Sequence, residues 1–553
     1  MKAHKIGDRI ELTFKYDPRM VAFVKTLPGR QYHAGSKSWS IPFADSMGAI
    51  EQLTSYGFDI SMGLIEAAMG DKKAAQEAET LAVQNDVPFD SYMPLYPYQK
   101  VGAAFLSKVG SGLLGDDMGL GKTIQFLAVA EHVQAQKVLI FAPASVKHQW
   151  ADEIRKFIAP DKIGSSRRSL IVIDGDKEER QKQWEMEGPR FYICNYELLL
   201  RDFEHMNIRI WDLIGADEAT RIANGQSKTG KIIKKLRAKR RIAMTGTPIS
   251  NKAHEVWNII DFTNPGAFGS YFSFIDRYCI RNHFNAISAY KNMDELSAKL
   301  KRYMIRRMAV DVLPDLPPKI VTDIPFELSD EERHVYTNIK KEILFEIEKT
   351  DIDKLDNPMT IQYTLVKMTR LRQIADSLEL IGQNTKSSKL AVLKDMIPTA
   401  LEGGRKVIVF TQFSEMAEIL ARELKEFGPA VISGKVKEEY RDVVARFNED
   451  ESVRVLIMTS AGQFGLNIQR ASVIFHYDQE WSLAKMLQRE GRAHRNGQEK
   501  DVFVYNLLAR GTLDYYIKKM LHEKAEMSAL ALGDLPQTMS MLKEALNYEQ
   551  TIL

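Results

Sequence analysis

GDDMGLGKT, Gly115–Thr123, is the stretch that decides how this chain is read. It follows an apolar run broken by small residues (Phe105, Leu106, Leu113, Leu114) and leads into a helical pattern from Ile124 to Val133. A glycine-rich turn ending in Lys-Thr at a helix start is suited to a nucleoside triphosphate. The glycines let backbone N–H groups approach the phosphates, and the helix N-terminus adds favourable partial charge. In this reading Asp117, Met118, Gly119, Leu120 and Gly121 wrap the phosphates, Lys122 reaches the β- and γ-phosphates, and the Thr123 hydroxyl ligates Mg²⁺. Where the common phosphate-loop pattern begins with a glycine, this chain has Asp116.

A second element supplies acids. The run Ile208–Ile214 is apolar enough for a buried strand, and Asp217-Glu218-Ala219-Thr220 follows it. Phosphoryl transfer to water needs one carboxylate for Mg²⁺ and one group to orient the attacking water. Asp217 suits the metal and Glu218 the water. Adjacent acids are commonly solvated turn residues. Here Asp217 comes 95 residues after Lys122, a separation that fits a multi-strand α/β core.

The third element is Gln488-Arg489-Glu490-Gly491-Arg492-Ala493-His494-Arg495. On a helix, Arg492 and Arg495 would share one face. A pair so far along the chain suggests a second lobe delivering arginine fingers, worth about 10³–10⁵ in turnover in other nucleotide hydrolases. Standing alone, such a pair would read as a salt-bridged solvated helix.

Together these pieces resemble the Swi/Snf-type DNA translocases of helicase superfamily two, over about residues 93 to 530. PLYPYQKVGAAFL (94–106) resembles the adenine-reading segment, which makes Gln99 the base contact. APASVKHQWADEIRKF (142–157) and NYELL (195–199) resemble the first-lobe segments that face DNA, and MTGTPISN (244–251) the segment that couples the site to the lobe interface. KVIVFTQFSEMAEIL (406–420), TSAGQFGLNIQRA (459–471) and QREGRAHRNGQ (488–498) resemble the second lobe's motifs. The resemblance implies ATP and Mg²⁺ as cofactors, Lys122, Glu218, Gln488, Arg492 and Arg495 as catalytic, and Gly465 beside the nucleotide. It implies DNA contacts near Lys147, Asn195 and Thr459. The family usually has histidine where Thr220 stands. Both carboxylates remain, so the departure bears on coupling between DNA binding and turnover rather than on hydrolysis.

The 553 residues suffice for two to four domains, each with its own core. A net charge of only +3 means that nucleic acid must be held by a local basic groove rather than a global field. Lys231–Arg241 and Lys301–Arg307 are the candidates, although the first also reads as an amphipathic helix with Ile232, Ile233 and Leu236 inward. Two cysteines, Cys194 and Cys279, support neither a disulfide framework nor a zinc site. No apolar run is long enough to span a membrane and no signal peptide is evident, so the expected location is inside a cell. That would be cytoplasmic and nucleoid-associated in a bacterium or infected cell, and nuclear in a eukaryote.

The fold expected is α/β: two RecA-like doubly wound parallel-sheet lobes with helical insertions, plus a small α+β N-terminal domain. Residues 1–60 alternate apolar and polar as in Arg9–Tyr16, 61–90 form a helical connector, and 91–310 the first lobe. Residues 311–512 form the second lobe and 513–553 a brace helix and tail. Between MTGTPISN and KVIVF lie about 155 residues, too many for a loop, with helical pattern at Glu331–Lys349 and Thr360–Glu379. FKYDPRMVAFVKTLPGRQYHAGSKSWSIP (14–42) resembles the HARP-type module of annealing helicases, in which Lys25, Arg30 and Lys37 would bind phosphate and Trp39 stack on a base. Trp39 packing the small sheet is the competing reading.

Only about 20 residues part Ile468 from Gln488, room for one strand and a helix start but no strand-separating hairpin. The expected function is therefore an ATP-driven translocase on double-stranded DNA that remodels forked or branched DNA by annealing, fork regression or branch migration, with replication or recombination proteins as partners. Displacement of polymerase or nucleosomes from duplex is the alternative, and a scaffold with a dead ATPase the reading from another class.

Overall fold

In the computed structural model, the N-terminal alternation becomes a five-stranded sheet. Its strands are β1 (Lys2–Ile6), β2 (Arg9–Thr13), β3 (Gln31–His33), β4 (Ser38–Pro42) and β5 (Asp59–Ile60), in the order β3-β4-β2-β1-β5. Ile10 and Leu12 of β2 are fully buried and meet Val24, Leu27, Leu53 and Phe58, as a period of two on a half-covered sheet requires. The structure describes all residues except 7–8, 28, 44–45, 159–168, 250–251, 283–286, 350–357, 384, 436–439, 460–467 and 533–553.

The chain divides into two units, Met1–Val312 together with the residues from Glu526 on, and Leu313–Ala525. In the first, a helix Met62–Ala82 packs along a helix Pro97–Val109, and the main sheet follows. Its strands are β6 (Gly112–Leu114), β7 (Val138–Ala142), β8 (Leu170–Val172), β9 (Phe191–Asn195), β10 (Leu213–Asp217) and β11 (Arg241–Met244). A hairpin of β12 (Cys279–Arg281) and β13 (Ile287–Tyr290) precedes β14 (Met304–Ile305), which returns to the main sheet. The order is β14-β6-β11-β10-β7-β9-β8, with every pairing parallel. Continuous apolar strands such as VLIFA (138–142) are what a sheet covered on both faces demands.

One expectation is corrected. The run Ile208–Ile214 is not a strand throughout: β10 begins at Leu213, and Ile208 and Ile210 are 73% and 49% exposed. Trp211 turns fully inward, its indole donating to the Met206 carbonyl at 3.0 Å, so the preceding residues form the approach to the sheet. Apolar character alone did not distinguish the two.

The second unit is a parallel sheet of β15 (Lys319–Phe326), β16 (Lys406–Phe410), β17 (Pro429–Ile432), β18 (Val455–Met458), β19 (Ala471–His476) and β20 (Val502–Ala509). Its order is β15-β20-β19-β16-β18-β17. The insertion patterns appear as helices Asp330–Lys349 and Pro358–Asp376. The fold is thus α/β with doubly wound parallel sheets in two lobes.

A buried lysine with two aspartates joins three elements of this unit. Lys389, at the start of the helix Ser388–Ala400, is fully buried and donates to Asp376 and Asp514, each at 2.8 Å. The Asp376 carbonyl accepts from the Tyr477 and Ser387 hydroxyls at 2.9 and 2.7 Å. Burial would lower the Lys389 ammonium, but the two aspartates outweigh it and hold its pKa above the usual range. Burial, with Asp478 and Asp514 nearby, pushes the Asp376 carboxyl up to about 8 in spite of Lys389.

A pH dependence follows. The folded-state pKa of Asp376 lies above its ordinary value of 3.8, so its contribution to stability is complete below that value and is lost as pH rises through about 8. The urea midpoint of this unit's unfolding should fall as pH rises from about 4 to about 8 and level off above it, and Asp376→Asn should flatten that slope. An unchanged slope in Asp376→Asn would contradict the assignment.

Candidate nucleotide-binding site

Parallel register brings three loops to one edge of the first unit's sheet. Asp217 pairs with Met244, and Met244 with Leu114, so β10, β11 and β6 end level. From these ends leave Glu218-Ala219-Thr220, the Thr245-Gly246-Thr247 segment and the glycine turn 115–121. Ligands of open parallel sheets bind beyond the carboxyl ends of the strands, and this is such an edge.

The turn is shaped by its glycines. Gly119 and Gly121 have φ of +80° and +71°, and a Cβ on Gly121 would stand 2.5 Å from the Gln99 amide nitrogen. A Cβ on Gly246 would stand 2.8 Å from Met118 Cγ, so the neighbouring segment closes on the turn only through glycine. The helix begins at Lys122 and runs to His132. Lys122 Nζ lies over the turn, donating to the Asp116 and Asp117 carbonyls at 3.0 Å each. Leu120 is fully buried, and its carbonyl accepts from Gln99 and Gln125 at 3.1 and 3.3 Å. Gln99, expected at the base, is itself buried with its amide turned to the loop.

Asp217 ends its strand with both oxygens engaged. Oδ2 accepts from the Trp150 indole at 2.8 Å and Oδ1 from the Glu218 N–H at 3.0 Å. Burial pushes its carboxyl up, opposed by the Trp150 hydrogen bond and the Lys122 charge. The Tyr196 hydroxyl, its own pKa raised by burial, donates to the Asp217 carbonyl at 2.6 Å. Glu218 then adopts a left-handed φ of +49°, rare for a residue with a side chain, before the 3₁₀ turn Ala219–Ile222. Thr123 follows Lys122 at the helix start, and a hydroxyl with a single carboxylate suits Mg²⁺, which keeps waters and phosphate oxygens as its other ligands.

In the second unit, the helix Leu483–Glu490 stops at Gly491, and Arg492 and Arg495 lie in the turns beyond it. They are therefore not a helical pair on one face, which corrects the expectation; the glycine ends the helix before them. Gln488 is buried, and Arg489 is fully buried, donating to Glu480 and to the Asp478 carbonyl at 3.0 and 3.1 Å. Gly465 lies outside the described residues.

The residues expected at DNA are more engaged than their sequence implied. Lys147 is buried against Asp174 at 2.7 Å, and Thr459 is buried with its N–H on the Ile432 carbonyl at 2.9 Å. Asn195 donates to Glu197 at 2.7 Å. Lys37 is exposed at the β3–β4 turn, and Trp39 is half-buried with its ring centroid 5.1 Å from that of Tyr32. In the first basic stretch Lys234 pairs with Asp261 at 2.8 Å, Lys239 pairs with Asp212 at 2.7 Å, and Arg241 is buried. In the second, Arg306 and Arg307 turn inward, Arg306 to the Gly115 carbonyl at 2.8 Å and Arg307 to Asp116 at 2.9 Å. Gln125, Trp150 and Tyr196 are site residues that the sequence reading did not single out, and Asp116 stood there only as a departure from the loop pattern. No local pattern links them, because their partners are distant in the chain.

The chain matches the SNF2-related domain family over residues 75–380 and the helicase conserved C-terminal domain over residues 388–497. It is 32% identical over 458 residues to a putative ATP-dependent helicase/translocase, YwqA, of Bacillus subtilis, covering 78% of this chain and 48% of that protein. To an uncharacterized ATP-dependent helicase of Mycoplasma genitalium it is 30% identical over 446 residues, covering 78% of this chain and 42% of that one. The chain spans about half the length of these curated relatives. A solved Sulfolobus solfataricus SWI2/SNF2 ATPase core in complex with dsDNA is 30% identical, covers 82% of this chain and 96% of its own, and superposes with a TM-score of 0.38.

Glu218→Gln should bind an ATP analogue with Mg²⁺ about as well as the parent while slowing hydrolysis by at least about 10²-fold, because phosphate and metal contacts remain. Lys122→Ala should lose both. Hydrolysis by Glu218→Gln at the parental rate would show that Glu218 does not orient the water.

Proposed function

The chain belongs to the SNF2-related family, and from that membership and the site's geometry we propose that it is a DNA-dependent ATPase that moves along double-stranded DNA without separating the strands. The observation that carries the ATPase reading is the level ending of β6, β10 and β11, which gathers Lys122, Thr123, Asp217 and Glu218 at one edge. In this reading Lys122 and the turn's N–H groups hold the phosphates, Thr123 and Asp217 hold Mg²⁺, and Glu218 orients water. The metal neutralises charge on the transferring phosphoryl group. Family resemblance supports Gln488, Arg492, Arg495 and Gly465 as the second unit's nucleotide-responsive residues and Gln99 as the residue that would read adenine.

Movement without unwinding is supported by the interval between Ile468 and Gln488. It is filled by β19 and the start of the helix Leu483–Glu490, with no hairpin to act as a wedge. DNA contacts come from the segments of Asn195, Lys147 and Thr459 through phosphate rather than bases, and Lys147 reaches a phosphate only by exchanging Asp174 for it.

Residues 1–60 would form the HARP-like module that places the motor at forked or branched DNA, with 61–90 as its connector. This rests on Lys37, exposed at a turn with φ of +51°, beside Trp39 and the 53%-exposed Tyr32. The outcome would be annealing, fork regression or branch migration.

Two measurements test this reading. A triplex-displacement assay should show ATP-dependent movement along duplex, whereas a tailed duplex should remain unseparated; robust unwinding without triplex displacement would make the protein a helicase instead. Trp39→Ala should keep the parental melting temperature within a few degrees and lose preference for branched over linear DNA, since stacking is worth about 1–3 kcal/mol per base. A folded Trp39→Ala variant with undiminished preference would remove Trp39 from DNA binding.

A further inference from the structure

The residues that hold the phosphate loop from behind come from the last segment of the first unit. β14 pairs with β6 in parallel, Met304 opposite Leu113 and Ile305 opposite Leu114. The ladder then continues into the loop, where the Gly115 N–H donates to the Ile305 carbonyl at 2.8 Å and the Asp117 N–H to the Arg307 carbonyl at 2.9 Å. Two side chains complete the hold. Arg306 Nη1 donates to the Gly115 and Gly246 carbonyls at 2.8 and 3.2 Å, joining the first residue of the loop to the Thr-Gly-Thr segment. Arg307 grips the fully buried Asp116 through Nε at 2.9 Å and through Nη2, donates to Gln125 at 2.8 Å, and reaches the Tyr98 carbonyl beside Gln99. One guanidinium thus serves four acceptors on three segments of the nucleotide site.

Gly102 shows that this arrangement is spatially enforced. It sits inside the helix Pro97–Val109, where alanine is the better helix former. A Cβ there would stand 2.0 Å from Gln125 Oε1 and 2.5 Å from Arg307 Nη2. Asp116, which replaces the usual glycine of the loop pattern, is the anion this guanidinium requires. A buried carboxylate without its partner is costly, so the loop's first turn and the segment 305–307 form as one piece.

We propose that Arg306 and Arg307 are positioning residues for nucleotide binding, holding Gly115–Asp117 in the shape that lets Lys122 and the following N–H groups meet the phosphates. The inference rests on the ATPase reading and adds to it residues that act through the loop they hold. Arg307 lies close to Val312, after which the chain passes into the second unit, so the clasp belongs to the segment that leads out of the first unit's main span.

The test uses the full chain, with melting temperature, KM for ATP and kcat at saturating duplex measured for each variant. Arg307→Gln should raise KM at least tenfold with a smaller change in kcat. Arg307→Lys should not restore it, because a compact ammonium cannot span the four acceptors. Gly102→Ala, which removes no hydrogen-bonding group, should raise KM in the same way. The deciding variant is Asp116→Asn with Arg307→Gln, which removes the buried charge pair as a whole. It should regain melting temperature relative to Arg307→Gln alone while KM stays raised. Parental KM in the single variants, or a KM in the double variant that recovers in step with melting, would overturn the proposal. A parent chain that hydrolyses no ATP would instead defeat the reading on which the proposal rests.

Discussion

The level ending of β6, β10 and β11 is the constraint on which the rest of the first unit depends. Parallel pairing fixes which residues stand side by side, and here it sets Leu114, Met244 and Asp217 abreast. A one-residue slip of β10 would carry Asp217 away from the loop and flip its side chain to the other face. The surrounding contacts secure that register. Trp150 and Tyr196 bind Asp217 from two directions, and Gly215 lets the Phe126 ring approach to where a Cβ would be 2.6 Å from it. The helix carrying Lys122 is thereby pressed against the strand carrying Asp217, since Phe126 lies on that helix.

Most of this edge was legible in the sequence because each part is a short contiguous run: a glycine turn, an acid pair, a Thr-Gly-Thr segment. The alternation at Arg9–Thr13 and the unbroken apolar strands were legible for the same reason. The failures share a cause as well. Ile208 and Ile210 are apolar but lie before the ladder begins, which only the inward turn of Trp211 reveals. Arg492 and Arg495 have helical spacing, yet Gly491 ends the helix ahead of them. Lys147 and Arg307 look like solvated cations until their partners are known, and Asp174 and Asp116 reach them only through the fold. Gly102 carried a faint signal, being a glycine inside an otherwise sound helix.

The second unit organises itself around buried charge in a different way. Lys389, Arg489 and Arg372 are buried and bonded to carboxylates, carbonyls or amides that link the insertion helices, the sheet and the helix Leu513–Leu532. Arg372 donates to the Gln479 carbonyl and Lys389 to Asp514, so the insertion and the C-terminal helix are fixed to one side of the core. Such pairs add little net stability compared with apolar packing, but breaking one member is expensive.

If this edge hydrolyses ATP, duplex DNA is what should drive it. The most direct measurement is the Mg²⁺-dependent ATPase rate of the full chain with and without blunt duplex of arbitrary sequence, across a salt series. The basal rate should be low, duplex should stimulate it strongly, and that stimulation should be lost as salt rises, because phosphate contacts release counterions. A rate unaffected by duplex at every salt concentration, or no hydrolysis at all, would contradict this reading.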